Sequence, residues 1–341
     1  MDRCIYCFPS GYAVAEDGIL MEYILPDGSE RTGDILMARA DRMTPALGCV
    51  FADIGRKRDG FLPLQENSHS FSGGSIRSGD RIAVQIKKEE HGGKGAFLTR
   101  DLAIPGRFVI LMPMNRYVGV SKRIENSEER ERLRNIGEAV SGGCFGLVMR
   151  LGSLDASEEM IRAETSALLD KWHEAEIRMA ESAVPGTVLL ALDPGTCILN
   201  DYSAQGPLRV IHADSPEPWM ESQFRQASER TVRLPGGGNI VIDCCEAMTV
   251  IDVNSASQVH GPDKEYTITR VNLEACAAAA AQIRLRNIGG IILIDFIDMD
   301  NEEDRFLVEK QLKDAFSADR RKTVIHGWTR LGIMEMTRKR D

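Results

Sequence analysis

Two short apolar runs in the last third of the chain each end at an aspartate, and this pattern constrains the fold more than any other feature. The first run, residues 248–251, leads into Asp252, and the second, residues 291–294, leads into Asp295. Residues 272–286 between them have the composition of a helix. A strand, a helix and a buried strand in this order predict a sheet covered by helices, an α+β layer arrangement.

A carboxylate at the end of an apolar strand is costly to bury unless it is paired, hydrogen-bonded or bound to a metal. If the two strands are neighbours, Asp252 and Asp295 come together and repel each other unless a cation or a proton lies between them. Mg²⁺ favours such hard oxygen ligands. The alternative is that each aspartate only caps its strand by accepting hydrogen bonds from loop backbone, and Asp298 has the same two interpretations.

Composition limits the class of protein. The chain has 341 residues, long enough for two or more domains, with 42 Lys+Arg against 51 Asp+Glu and a net charge of −9. This charge excludes a protein that coats nucleic acid with its whole surface. Eight scattered cysteines, no signal-peptide pattern and no apolar run long enough to cross a bilayer predict a soluble cytoplasmic protein.

The charge is unevenly distributed. Residues 125–182, which have a helical pattern, carry much of the acidic excess, whereas residues 76–100 hold six basic and three acidic side chains. A nucleic-acid contact, if there is one, is therefore confined to part of the surface and should weaken steeply with salt.

Residues 34–99 are rich in short strands separated by glycine-containing turns, which predicts a small closed barrel. Its five predicted strands are residues 34–40, 47–54, 60–64, 81–87 and 95–99. Elsewhere the patterns predict a strand pair with a turn around Gly28 in residues 1–30, a strand at 107–112, a helix at 156–183, no long helix in 184–218, a hairpin at 230–243 and a helix at 302–319.

Several motifs follow one another at recognisable spacing. They are residues 246–255 (EAMTVIDVNS), 272–275 (NLEA) and 284–299 (RLRNIGGIILIDFIDM), preceded by 51–55 (FADIG), 59–64 (DGFLPL), 88–95 (KEEHGGKG), 111–113 (LMP), 119–124 (GVSKRI) and 232–235 (VRLP). Together they resemble the catalytic core of the bacterial ribonuclease E/G family, in a short form. The resemblance covers most of the chain and is weak only between about 155 and 223.

The resemblance implies an α+β multidomain architecture in which an OB-fold barrel is inserted into a split RNase H-like piece. The expected domains are a trimmed RNase H-like subdomain at 1–30 and 183–230, an OB-fold RNA-binding barrel of the ribosomal S-one type at 31–101, a 5′-sensor-like region at 102–182 and a DNase I-like catalytic domain at 231–341.

The same resemblance implies chemistry. Asp252 and Asp295 would be Mg²⁺ ligands, and Asn254 would hold Asp252 through a hydrogen bond. Lys322 would be a basic residue near the reacting phosphate. The implied reaction is endonucleolytic hydrolysis of single-stranded RNA by a metal-activated water, leaving 3′-hydroxyl and 5′-phosphate ends, in RNA processing or decay.

The resemblance also implies an RNA-binding surface. Phe51, Phe61 and Lys94 fall on barrel positions that contact single-stranded RNA, which suits stacking of bases on rings and a cation for the backbone. Core packing is the alternative for Phe61. In the sensor-like region the resemblance assigns RNA contacts to Lys122, Arg123 and Arg150.

The chain departs from the family pattern at three places. Leu151 follows Arg150 where the family has a threonine, so recognition of a 5′ phosphate is expected to be weakened or lost. The stretch 184–218 is short. The sequence stops at Asp341, before the cysteine-rich zinc link, so a zinc-linked tetramer is not expected, whereas a dimer is left open.

Two other functions remain as alternatives. A catalytically decayed RNA-binding protein would keep the barrel, although nothing about RNA binding requires clustered carboxylates beside a polyanion. A metal-dependent nuclease acting on DNA is the other, because stacking and backbone contacts do not read the 2′-hydroxyl. Cys4 and Cys7 have a CxxC spacing but no second pair, which favours free thiols. His91 and His260 have no assigned role.

Overall fold

The chain is described here from a computed structural model, which covers residues 2–25, 32–64, 76–90, 93–255 and 264–339. It forms two compact units, one of Met1–Pro26 with Pro207–Arg340 and one of Asp27–Gly206. His91 and His260 lie outside the described residues. No helix in the described part is both long and apolar enough to cross a membrane.

Both units contain strands and helices. The strands are β1 (Arg3–Phe8), β2 (Gly11–Glu16), β3 (Ile19–Ile24), β4 (Ile35–Thr44), β5 (Cys49–Asp53), β6 (Gly60–Pro63), β7 (Arg81–Lys88), β8 (Phe97–Thr99), β9 (Ile104–Pro105), β10 (Val109–Met112), β11 (Val118–Val120), β12 (Gly146–Met149), β13 (Val188–Leu190), β14 (Arg209–His212), β15 (Thr231–Arg233), β16 (Asn239–Cys244), β17 (Met248–Asn254), β18 (Gly290–Asp295), β19 (Thr323–Trp328) and β20 (Met334–Arg338). The helices are α1 (Ser127–Ser141), α2 (Glu158–Glu181), α3 (Pro194–Ser203), α4 (Pro218–Gln226), α5 (Lys264–Leu285) and α6 (Glu302–Ala315).

The second unit contains the predicted barrel. Its strands pair in the order β4-β5-β6-β8-β7, and β7 pairs back with β4, so five strands close the sheet. Val50 on β5, Leu62 on β6 and Leu98 on β8 point into a buried core. Their neighbours Phe51, Phe61 and Phe97 point outward, because successive side chains of a strand lie on opposite faces. The closed five-stranded barrel predicted from the sequence is confirmed, and it is consistent with an OB-fold.

This unit also contains a four-stranded sheet, in the order β11-β12-β10-β9, with the helices α1 and α2. Each helix begins at a side-chain cap: Asn126 accepts a hydrogen bond from the Glu129 amide, and Ser157 accepts one from the Met160 amide. The helix predicted at 156–183 is confirmed as α2.

Residues 184–218, where the sequence predicts no long helix, contain the short strands β13 and β14 and the ten-residue helix α3. The α3 helix begins at Pro194, and Asp193 caps it by accepting a hydrogen bond from the Thr196 amide. Proline at the first helical position favours a helix start, because its missing N–H would be unpaired there anyway.

The first unit begins with a four-stranded sheet in the order β14-β1-β2-β3. The sequence analysis expected two strands in residues 1–30, but three are present, because the turn between β2 and β3 lies at Asp17 and Gly18, both with positive φ. The turn predicted around Gly28 falls outside the described residues. β14 pairs with β1 in parallel, so residues distant in sequence complete this sheet.

The second sheet of this unit has the order β15-β16-β17-β18-β20-β19. The predicted hairpin is confirmed as β15 and β16, and the predicted strand, helix and strand as β17, α5 and β18. The α5 helix begins at Lys264, earlier than predicted, and α6 ends at Ala315, earlier than the predicted Asp319. Apolar side chains of α5 and α6 share one buried core with the sheet.

The continuous apolar run of β18 predicts a strand that is buried on both faces, but only one face of β18 is buried. Ile292 and Ile294 are fully buried, whereas Ile291 is 48% exposed. Ile292 and Ile294 belong to the same buried cluster as apolar residues of α5 and α6. The helices thus cover one face of the strand, and the side chains that alternate with Ile292 and Ile294 lie on the other face.

A buried group of three charges lies in the first unit. The Glu16 carboxylate accepts hydrogen bonds from Arg3 Nε at 2.9 Å and from Arg284 Nη1 at 2.9 Å. The side chains of Glu16 and Arg284 are 6% and 0% exposed. The group connects β1 and β2 to the end of α5, and one carboxylate faces two guanidinium groups there.

Candidate functional site

The two aspartates singled out in the sequence lie side by side. β17 and β18 are parallel neighbours, and their register pairs Asp252 directly with Asp295. Both residues are exposed at the carboxyl ends of their strands. The sheet therefore brings the two carboxylates to one edge and leaves them accessible to solvent.

The electrostatics of this pair favour a bound cation. Desolvation raises the pKa of Asp295, and the negative charges of Asp252 and Asp298 raise it further. A divalent cation between the carboxylates would remove this repulsion, and carboxylate oxygens are the ligands that Mg²⁺ accepts. Among the described residues no cluster of three or more His, Cys, Asp or Glu side chains is arranged for metal binding. A metal ion held by Asp252 and Asp295 would therefore take its remaining ligands from water or substrate.

Asn254 orients one of these carboxylates. Its Nδ2 donates a hydrogen bond to Asp252 Oδ2 at 2.8 Å. The two residues are two positions apart on β17, so their side chains project from the same face of the strand. This hydrogen bond is the contact that the family resemblance implied.

A buried asparagine supports the other strand end, and the sequence analysis assigned it no role. Asn272 on α5 is 0% exposed; its Nδ2 donates to the Ile297 carbonyl at 2.8 Å, and its Oδ1 accepts from the Ile297 amide at 3.1 Å. The amide thus fixes the segment that follows Asp295. An asparagine between Val271 and Leu273, among the apolar positions of a predicted helix, is the sequence signal that could have identified it.

Lys322 does not lie at the carboxylate edge. It directly precedes β19, where Thr323 pairs with Arg338 of β20, which in turn pairs with Gly290 at the start of β18. Asp295 lies at the other end of β18, about 17 Å along the strand at roughly 3.3 Å per residue. The predicted position of Lys322 beside the reacting phosphate therefore disagrees with the sheet register.

The barrel carries a row of half-buried aromatic rings on its outer face. Phe51 and Phe61 are paired across β5 and β6 with ring centroids 6.0 Å apart, and Phe97 on β8 lies 5.5 Å from Phe61. The Arg42 guanidinium lies 4.6 Å from the Phe51 ring centroid. Phe61 is half-buried and is not part of the buried cluster inside the barrel. Phe97 and Arg42 were missed, although Phe97 alternates with buried residues along its strand.

The lysines and the arginine predicted to contact RNA in the second unit, Lys94, Lys122 and Arg123, are exposed. Lys94 is exposed three residues before Phe97, and Lys122 and Arg123 are exposed in the loop between β11 and α1. At Gly95, a side chain would collide with the Asp59 carbonyl, so this position beside Lys94 needs glycine.

Arg150 is already paired within the chain. One of its guanidinium nitrogens donates to the carboxylate of Asp201 on α3, and the other donates to the Gly106 carbonyl. The two side chains of this ion pair are only 18% and 22% exposed. Leu151, the next residue, begins a single 3-10 turn and has no hydroxyl. An external phosphate at Arg150 would compete with the Asp201 carboxylate for this guanidinium, and no local sequence pattern predicts that pairing.

The eight cysteines all have free thiols in the structure, including Cys4 and Cys7 on β1. This agrees with the expectation of unbonded thiols. Cys4 is buried and Cys7 is half-buried.

Comparisons with known proteins agree with the geometry. The model of the Ribonuclease E/G family matches residues 103–219 and 219–341. Ribonuclease G of Haemophilus influenzae is 35% identical over 382 residues, which cover 96% of this chain and 77% of the relative. Ribonuclease G of Escherichia coli strain K12 is 32% identical with the same coverage, and ribonuclease E of that strain is 33% identical over 92% of this chain and 34% of the relative. The chain belongs to the ribonuclease E/G family.

Proposed function

We propose that this chain is an endoribonuclease that hydrolyses phosphodiester bonds in single-stranded RNA with the help of Mg²⁺. The observation that carries the proposal is the pair of carboxylates, Asp252 and Asp295, in register at one sheet edge with Asn254 bound to Asp252. Membership of a family whose curated relatives are named ribonuclease G and ribonuclease E supports RNA as the substrate.

The proposed mechanism assigns a separate task to each side chain. Asp252 and Asp295 would hold the metal ion, and the hydrogen bond from Asn254 would keep Asp252 in one orientation. Mg²⁺, when bound, supplies a Lewis acid that makes water more acidic and offsets negative charge on the phosphate. Asn272 would keep the end of β18 rigid, so that the two carboxylates stay at a fixed separation.

The test of this function uses the intact chain and an AU-rich single-stranded RNA labelled at its 5′ end. Cleavage is expected with Mg²⁺ and not with EDTA, and the products should carry 3′-hydroxyl and 5′-phosphate ends. A DNA strand of the same sequence separates an endoribonuclease from a nuclease that acts on DNA. Binding of RNA without cleavage in Mg²⁺ would contradict the proposal and favour the decayed RNA-binding protein.

We propose that RNA binds across the ring row formed by Phe51, Phe61 and Phe97, with Lys94 on the backbone. The rings are half-exposed on the outer face of the barrel, where bases could stack on them. Stacking tolerates all bases, because each has a π-face.

Substitution of Phe61 by alanine is expected to weaken RNA binding by about 1–3 kcal/mol, roughly 5- to 150-fold, because one stacking platform is lost. The measurement is fluorescence anisotropy of a labelled single-stranded oligonucleotide at fixed salt. Leu47→Ala on the same barrel is the control, because it removes an exposed apolar side chain, 67% accessible, without removing a ring. Equal affinity of the Phe61→Ala and Leu47→Ala variants would refute the stacking role.

We also propose that 5′-phosphate recognition is weak in this chain, because Asp201 occupies the guanidinium of Arg150. The wild type is expected to cleave 5′-phosphate and 5′-hydroxyl substrates at rates within a few-fold of each other. Asp201→Asn is expected to release Arg150 and to increase the preference for the 5′-phosphate substrate about tenfold, since a charge-assisted hydrogen bond contributes about 1.5–3 kcal/mol.

The measurement for this prediction is the ratio of initial cleavage rates on the two substrates. Asp170→Asn serves as the control, since Asp170 is an exposed aspartate of the same unit, on α2. A strong 5′-phosphate preference in the wild type, or an unchanged ratio in Asp201→Asn, would contradict internal occupation of Arg150.

The domain assignments stay proposals. We propose that residues 31–101 are the OB-fold barrel, 102–182 the sensor-like region and 231–341 the DNase I-like domain, with 1–30 and 183–230 as the split subdomain. The parallel pairing of β14 with β1 supports a split piece. Residues around β13 and α3 belong to the barrel-containing unit instead, so the second part of that subdomain is best restricted to residues after 206.

A further inference from the structure

The hairpin between β19 and β20 lies at the same sheet edge as the two aspartates. Trp328 at the end of β19 pairs with Met334 of β20, and Met334 pairs with Ile294, the residue before Asp295. Residues 329–333 therefore extend past the sheet on the side where β18 ends. Lys322 lies at the opposite end of these strands.

The hairpin is held in one conformation. The Thr329 amide donates to the Ile333 carbonyl at 2.8 Å, and the Thr329 hydroxyl accepts hydrogen bonds from the amides of Leu331 and Ile333 at 3.2 and 3.0 Å. Gly332 has a φ of +82°, a left-handed conformation that glycine adopts without strain. The side chain of Arg330 is thus carried on a rigid turn and not on a loose loop.

Two distances place this hairpin beside the residues that follow β18. At its base, the Trp328 ring lies 5.7 Å from the ring of Phe296, the residue after Asp295. At its tip, a Cβ built on Gly332 would lie 4.0 Å from Asp298 Oδ1. Asp298 is close enough to Asp295 to act on it electrostatically. The hairpin therefore borders the acidic cluster on the side away from β17.

The arginines at this end of the sheet differ in whether another residue already binds the guanidinium. Arg305 on α6 donates to the Met299 carbonyl, and Arg270 on α5 is paired with Glu274. Arg233 ends β15, which is two strands away from β17. Arg330 is exposed and makes no hydrogen bond or ion pair to another described residue. Its unpaired guanidinium distinguishes it from Arg305 and Arg270, and its position on the hairpin of β20, the neighbour of β18, distinguishes it from Arg233, which is exposed as well.

We propose that Arg330 is a catalytic residue that contacts the phosphate at the cleavage point and stabilises the charge that develops there. This inference rests on the proposed ribonuclease function. In the reaction a water oxygen bonds to phosphorus while the bond from phosphorus to the 3′ oxygen breaks. One water proton ends on the 3′ oxygen and the hydroxyl remains on the new 5′-phosphate.

The chemistry of arginine suits this task. Negative charge increases on the non-bridging phosphate oxygens in the transition state, and the three nearby aspartates cannot offset it. A guanidinium donates two parallel hydrogen bonds to such oxygens and stays charged at any working pH. The hydrogen-bonded hairpin holds the backbone that carries Arg330 beside the end of β18, so that the guanidinium needs only side-chain rotation to meet a phosphate there.

The test compares single-turnover cleavage of RNA by wild type, Arg330→Ala and Arg330→Lys at saturating Mg²⁺, together with RNA affinity measured in Ca²⁺. Arg330→Ala is expected to lower the cleavage rate about 10²- to 10³-fold with RNA affinity changed less than threefold. Lysine should restore part of the rate, and free guanidinium at a non-denaturing concentration should partly rescue the alanine variant.

The controls separate this proposal from the wider function. Arg225→Ala, an exposed arginine on α4, should cleave like the wild type. Arg330→Ala that cleaves within threefold of wild type, or that fails only through lost RNA affinity or a lower melting temperature, would overturn the role. A large loss in Lys322→Ala with none in Arg330→Ala would assign the cation to Lys322. A wild type that does not cleave overturns the proposed function, and with it this inference.

Discussion

Asp252→Asn and Asp295→Asn are each expected to lower RNA cleavage by about three orders of magnitude. Each substitution removes one of two carboxylates that lie in register at the same sheet edge, so the remaining one would hold a divalent cation poorly. Asparagine keeps the size of the side chain and removes its charge. The measurement is the initial rate of cleavage of a 5′-labelled single-stranded RNA at fixed Mg²⁺.

Fold and binding serve as controls for these two variants. Their melting temperatures in EDTA should not fall below that of the wild type, because each substitution removes repulsion between like charges. RNA affinity should stay near the wild-type value, because the ring row lies in the other unit. Asp214→Asn, an exposed aspartate of the first unit, is the matched control and should cleave normally. Wild-type cleavage by either active-site variant would rule out the carboxylate pair as the site.

Glu16→Gln is expected to destabilise the folded chain by about 3–5 kcal/mol. Glu16 is the shared acceptor of two buried arginines, Arg3 and Arg284, and a neutral amide would leave two positive charges in a desolvated environment with no counter-charge from this position. The loss should exceed that of an exposed ion pair, which contributes about 0–1 kcal/mol.

Chemical unfolding followed by circular dichroism measures this loss through the midpoint and slope of the transition. Glu246→Gln is the matched control, since Glu246 is exposed in the same unit, and its free energy of unfolding should change by less than about 0.5 kcal/mol. Equal stability of Glu16→Gln and wild type would show that the charge group contributes nothing net to the fold.

The elements that the sequence predicted well are those with a strong local pattern. The barrel strands alternate apolar and polar residues between glycine turns, and β17, α5 and β18 have unmistakable composition, so the pairing of Asp252 with Asp295 could be anticipated as soon as the strands were assumed to be neighbours. The hydrogen bond from Asn254 to Asp252 followed from the family resemblance and is present in the structure.

What the sequence could not supply was register and tertiary pairing. The family resemblance implied that Lys322 lies near the reacting phosphate, but the register of β18, β20 and β19 places it at the opposite end of the strands from Asp295. The contact of Arg150 with Asp201 joins residues 51 positions apart, and no local pattern reports such a pair. The exposed face of β18 was misjudged because an apolar run does not say how many faces of a strand are covered.

The most direct test of the central claim is metal binding by the intact chain without RNA. Mn²⁺, as a paramagnetic probe for Mg²⁺, is titrated into wild type, Asp252→Asn, Asp295→Asn and Asp214→Asn, and bound ion is measured by electron paramagnetic resonance. The carboxylate pair predicts a site in the wild type and in Asp214→Asn whose affinity falls at least about tenfold in each active-site variant. Equal Mn²⁺ binding by all four proteins would contradict the account.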